Sequence, residues 1–155
     1  MISEAQLRSI AIFYFYSLQD EKLATQASAK TIAQLKLRQK EENLSNQELS
    51  PALVSATLKN WKILKKNIRS TQSAVSEEAG WIVPAGTDLG AWRQFRKEAN
   101  EEEFLAVIWS LILGMKDETI SKGLGVTVGT VRHRVGKGLK LLGTMVNTDV
   151  RAARG

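Results

Sequence analysis

The chain has no cysteine, one histidine and two prolines in 155 residues. Without cysteine there is no disulfide framework, and with one histidine there is no zinc site of the usual Cys/His kind. A reducing compartment is therefore permitted, and neither metal nor cofactor is expected. Long apolar runs are also missing. The stretches Ile10 to Leu18 and Phe104 to Leu113 fall well short of the roughly 20 residues that a membrane-spanning helix needs. The first, with Arg8 before it and Ala27-Ser28-Ala29 after it, imitates a secretory leader. Glu4 interrupts its positive end, however, and Gln19-Asp20-Glu21-Lys22 lies where a cleavage region is short and uncharged. The expectation is a cytoplasmic chain without membrane association.

Two local absences matter as much. From Asp20 to Asn60 there is no aromatic residue, and between Lys59 and Arg69, as again from Val128 to Leu142, there is no acidic one. With 22 basic against 16 acidic residues the formal charge is +6, a balance that favours a polyanionic partner. The 43% hydrophobic and 25% charged content places the chain in the globular class, able to bury one ordinary core or two small ones.

Apolar residues recur at three- and four-residue steps, and no Val/Ile/Thr alternation persists long enough for a sheet, so the fold class is all-α. Ser3 ahead of Glu4 and Gln6 can cap a first helix to about Leu18, with Leu7, Ile10, Phe13 or Tyr14, and Leu18 inward. A second helix from Glu21 to Glu42 carries Leu23, Ala27, Ala29, Ile32 and Leu35 on one side. Ser50-Pro51 reads as the start of a third, with Leu53, Leu58, Trp61, Leu64 and Ile68 inward and a strongly basic end. From Ser70 to Leu89 the periodicity breaks. The expected organisation is a helical domain over 1–69, a linker over 70–89 in which Trp81 and Ile82 dock on a neighbour, and a second domain over 90–155.

That second domain has the pattern of a helix-turn-helix. Glu102 to Leu113 forms a supporting helix with Phe104, Leu105, Ile108, Trp109 and Ile112 on its apolar face, ended by Gly114. In the run from Asp117 to Val135, Ser121 is the small residue where two helices approach, and Gly125 tolerates the positive φ of a tight turn. Thr127 caps the next helix, and Ile120, Leu124, Val126 and Val131 close a small core. Along the second helix Val131, Val135, Leu139 and Leu142 face inward, leaving Gly129, Thr130, Arg132, His133, Lys137 and Lys140 outward. Residues near the start of such a helix reach base edges in the major groove, and basic residues farther along meet phosphates. Arg132 and His133 are therefore the base-contact candidates, and Lys137 and Lys140 the phosphate candidates.

Glu118, Ile120, Leu124-Gly125-Val126, Gly129-Thr130-Val131, Arg134-Val135 and Leu139 to Leu142 resemble region four of extracytoplasmic-function sigma factors, which reads the upstream promoter element. Arg134 is the residue that separates this resemblance from a LuxR-like response-regulator helix-turn-helix, the second candidate. The resemblance implies a DNA-binding set of Thr127, Gly129, Thr130, Arg132, His133, Arg134, Lys137 and Lys140. It also implies docking on the β-subunit flap of core RNA polymerase through Phe104, Ile108 and Leu111, and an anti-sigma factor as a further candidate partner. Arg8 to Tyr16 and Asp20 to Ala27 resemble, more distantly, the clamp-binding helix pair of sigma region two. The promoter-melting aromatics that follow there are missing here. No nucleophile with its base, phosphate loop or metal set stands out, and Glu101-Glu102-Glu103 reads as a solvated run at a helix start. The expectation is a transcription factor and not an enzyme. Its alternatives are a stand-alone helix-turn-helix regulator and a sigma mimic that binds polymerase or an anti-sigma factor without opening promoters.

Overall fold

The computed structural model describes residues 2–68 and 89–154, with side chains described to Met145. Every regular element among the described residues is helical: α1 (Glu4–Leu18), α2 (Glu21–Glu42), α3 (Asn46–Leu64), α4 (Gly90–Glu98), α5 (Glu101–Val107), α6 (Asp117–Leu124) and α7 (Val128–Arg154). None of them is long and apolar enough to cross a membrane. Most of the expected linker, including Trp81 and Ile82, lies outside the described residues.

The ends of the first helices are set by local chemistry. Ser3 and Gln6 make a reciprocal capping box at the start of α1, and Gln19 closes it in the left-handed conformation at φ 55°. The Asp20 carboxylate accepts the Leu23 N–H to start α2, which ends on Asn43 at φ 51°. α3 begins several residues before the expected Ser50-Pro51. A second capping box, Ser45 with Glu48, satisfies the first orphan amides, so Pro51 sits inside the helix and not in its first turn. One turn of 3₁₀ helix, Lys65–Asn67, follows. α4 was not anticipated. It has only nine residues, and its start lacks a side-chain cap.

The segment expected as one supporting helix is α5 followed by a π-helical turn, Ile108–Ile112. There the Leu113 N–H reaches back five residues to the Ile108 carbonyl, at 3.0 Å. Gly114 ends it at φ +65°, as the sequence implies.

The buried side chains form one continuous cluster that runs through both halves of the chain. Phe13 of α1 stacks on Trp109 of the π turn, with ring centroids 5.5 Å apart and planes 13° from parallel. Trp61 of α3 meets Phe104 of α5, and Phe104 meets Phe95 of α4. Trp61 is 3% exposed, and its indole N–H donates to the Ser17 carbonyl at 3.3 Å. Leu64 and Ile68 pack against the cluster as the sequence implies.

Polar groups thread this core. Tyr14 Oη and Thr31 Oγ1 are 2.6 Å apart, Asn60 Nδ2 donates to Thr31 Oγ1 and Gln34 Oε1, and the Trp109 indole N–H donates to Thr57 Oγ1. The network corrects the expected face of α2. Thr31, with Ala24 and Ser28, is buried there, whereas Ala29 is exposed. Pairing these groups avoids the penalty of an unmade buried hydrogen bond, about 1 to 3 kcal/mol each.

Burial pushes the Tyr14 phenol up from 10.0 to about 12, against a smaller opposing effect of its hydrogen bonds to Thr31 and Asn60. An acid with a raised folded-state pKa stabilises the fold fully below its unfolded value and loses that contribution as pH rises. Tyr14→Phe is therefore expected to flatten the fall in melting temperature between pH of about 10 and about 12 relative to wild type. Parallel curves for the two proteins in thermal unfolding would remove Tyr14 as the cause.

Candidate nucleic-acid interface

α6, the turn and α7 are assembled by a few residues whose types the geometry requires. Gly125 adopts φ +69°, and its N–H and that of Val126 both bond to the Ser121 carbonyl, at 2.9 and 3.1 Å. This is the left-handed closure that spares glycine a Cβ clash. Thr127 Oγ1 then accepts the Thr130 N–H at 3.1 Å, the expected cap of α7, and also lies 2.9 Å from Thr130 Oγ1. Ile120 and Val131 are fully buried between the helices, with Leu124, Val126 and Val135 partly buried around them.

The inward stripe of α7 runs through Val131, Gly138, Leu142 and Met145. Leu139, expected inward, is 39% exposed. Gly138 takes the inward place because a Cβ there would lie 2.4 Å from Val107 Cγ2 and 3.0 Å from the Glu103 carbonyl oxygen. Only glycine lets α7 approach α5 so closely.

The outward arc holds Gly129, His133, Gly136, Lys137 and Lys140, all exposed. Among the described residues neither Lys137 nor Lys140 has an ion-pair partner. Arg132 is also outward, its side chain 65% exposed, but it reaches back to Asp117 at the start of α6 (3.2 Å) and to Glu118 (4.0 Å). Such an exposed pair is worth about 0 to 1 kcal/mol. It is weak enough to release the guanidinium and directional enough to hold it beside the N-terminal end of α7.

Arg134 is placed differently from the rest of the expected set. Its side chain is only 19% exposed, and its guanidinium pairs with Glu102 at 3.3 Å, so it ties α7 to the start of α5 and does not join the outward arc. Of the three residues expected to dock on a partner, Phe104 and Ile108 are sealed in the core at 1% and 0% exposure. Leu111 alone is open, at 53%. Phe104 packs on Trp61 and Phe95, so the face that the resemblance implied for docking is spent inside the protein.

The helix-turn-helix does not stand apart from the first half of the chain. α6 lies on α3 at Gly123, where a Cβ would come within 2.6 Å of both the Pro51 carbonyl oxygen and Val54 Cβ. Ser55 Oγ donates to the Gly123 carbonyl at 2.5 Å in the same place. Below the turn, Leu58, Trp61 and Lys62 of α3 face Leu124, Val126, Leu105 and Arg134 across a cleft of about 260 Å³. Nothing in the sequence marked this junction except the small size of Gly123. Among the described residues no cluster of His, Cys, Asp and Glu is grouped closely enough to hold a metal ion. Comparison with protein-family models, with curated proteins and with solved structures finds no match to the chain.

Proposed function

We propose that the chain is a DNA-binding transcription protein that reads duplex DNA through α7 and works with core RNA polymerase in the manner of a sigma factor. The observation that carries this reading is the turn. A left-handed Gly125, a Thr127 cap and the burial of Ile120 and Val131 hold the short α6 against the long α7 so that the outer arc of α7 is acid-free and bears His133, Lys137 and Lys140, with Arg132 at its edge. The start of such a helix fits the major groove, and its cations match the phosphate backbone. The contact set proposed is Thr127, Gly129, Thr130, Arg132, His133, Lys137 and Lys140. Arg134 supports it from behind through Glu102.

Arg132→Ala and Lys137→Ala separate the two kinds of contact. Arg132 lies near the start of α7, where a guanidinium grips guanine, so its loss is expected to cost about 1 to 3 kcal/mol and relax preference at one position. Lys137 lies more than a turn farther along. Its loss is expected to weaken all sequences alike and to lower the salt slope by about one. Titration of each variant against a selected site and a scrambled duplex at several salt concentrations makes the comparison. Equal losses on both duplexes for both variants would reduce α7 to a basic surface.

A second reading, an interaction protein that occupies polymerase or an anti-sigma factor without touching DNA, is favoured by one observation. Leu111 is exposed beside the partly buried Ile112, Leu113 and Met115, a small apolar surface away from α7's outer arc. Capture of core RNA polymerase by the full chain, with duplex binding absent at low salt, would decide for it.

A further inference from the structure

A second acid-free stretch of the described chain runs through α3, far from α7 in sequence. From Pro51 to Ile68 there is no carboxylate, and Lys59, Lys62, Lys65 and Lys66 crowd its end. Their fates differ. Lys65 is bonded to Glu101 and lies over the Trp61 ring, 5.0 Å from its centroid. Lys59, Lys62 and Lys66 are exposed, and among the described residues none of them has an ion-pair partner. The nearby carboxylates Glu101 and Glu102 are matched to Lys65 and Arg134, so among the described residues these three charges are left uncompensated.

Where this row lies follows from the packing of α6. Ser55, which bonds to the Gly123 carbonyl, is followed on the same face of α3 by Lys59 and Lys62, at steps of four and three, and Lys66 continues the row in the 3₁₀ turn that follows. The face that receives the end of α6 therefore continues as a row of lysines, and Lys62 shares the cleft with Leu124 and Val126 of the turn. The turn leads directly into Thr127 and the start of α7, the end that enters a groove. At about 1.5 Å per residue in α3 and about 2 Å in the 3₁₀ turn, the row extends about 11 Å, a length over which one DNA strand presents roughly three phosphates.

We infer that Lys59, Lys62 and Lys66 contact the phosphates flanking the groove occupied by α7, so that the DNA-binding surface spans both halves of the chain. This rests on the proposal that α7 binds duplex DNA. The close approach at Gly123 is what makes the row useful: it fixes α3 against the helix-turn-helix, so the lysines add their attraction without the entropy cost of ordering a separate domain.

The experiment compares the full-length wild type, the triple variant Lys59→Gln/Lys62→Gln/Lys66→Gln and the corresponding triple arginine variant. The probe is a random-sequence duplex of about two helical turns, with affinity followed against salt. All three positions are exposed on a helix, and glutamine and arginine are good helix formers, so the melting temperatures should agree. The expected result is a glutamine variant whose slope of log affinity against log salt is shallower by about 2 to 3, with the arginine variant keeping the wild-type slope. An unchanged slope in the glutamine variant, while Lys137→Ala still lowers it, overturns the inference and leaves the role of α7 intact. A wild type that binds no duplex even at low salt overturns both. Loss of binding to vesicles containing anionic lipid, with duplex binding unaffected, would assign the row to a membrane surface and also overturn the inference.

Discussion

Trp109→Ala is expected to lower the stability of the entire chain by about 3 to 5 kcal/mol, the usual cost of truncating a fully buried tryptophan. Trp109 is 1% exposed and joins three things at once. Its ring stacks on Phe13, its N–H donates to Thr57 Oγ1, and its backbone carbonyl accepts the Met115 N–H that closes the π turn. Truncation leaves a cavity in the core shared by α1, α3 and the π turn. It also leaves Thr57 without its donor. Urea denaturation followed by helical circular dichroism should show one transition at a lower midpoint. If only part of the helical signal moves to lower urea, the two halves unfold as separate cooperative units and the shared core does not couple them.

The second large effect is expected at Gly123→Val. A valine Cβ would enter the space held by the Pro51 carbonyl and Val54, and its two methyl groups cannot both turn away. Overpacking of this kind costs about 1 to 3 kcal/mol and sometimes more, with the upper end expected because one of the obstructing atoms is backbone. α6 must then shift away from α3, and Ser55 loses its bond to the Gly123 carbonyl. The contrast is Gly136→Ala. Gly136 lies on the outer arc of α7 with nothing within 4 Å of an added Cβ, so alanine there should raise stability by up to about 1 kcal/mol through helix propensity. Midpoints of chemical denaturation for the two variants should move in opposite directions. A wild-type midpoint for Gly123→Val would mean that α6 does not rest on α3.

Much of the helical framework is legible in the sequence because its signals are local. Ser3 with Gln6, Gly125 and Thr127 each act on amides within four residues, and each stands in the structure where its chemistry needs it. The start of α3 was misplaced because two local signals competed. Proline suits a first helical turn, yet the Ser45–Glu48 box satisfies more orphan amides than Pro51 can spare. Non-local facts were less visible. Periodicity shows which side of a helix is apolar, but not which element covers it, so a division into two domains, each supplying its own partners, looked natural. Phe13 against Trp109 and Trp61 against Phe104 show partners drawn from opposite halves. Arg134 was misread for the same reason. The resemblance placed it in the DNA-binding set, and only Glu102 across the cleft reveals that it turns back.

The π turn has a consequence for phase. In an unbroken α-helix Phe104, Ile108 and Leu111 would lie on one stripe. The wider turn takes up about one residue more than an α turn, so the side chains beyond it lag in rotation behind those before it. Leu111 thereby leaves the stripe and faces solvent, while Phe104 and Ile108 stay inside. The rod is in effect two stripes set at different angles: α5 addresses α4 and α7, and the π turn addresses α1 and α6. One short segment thus meets α1 and α3 of the first half through Trp109 and Phe104, and α4, α6 and α7 of the second, a reach that a uniform helix of the same length would not have on all these sides.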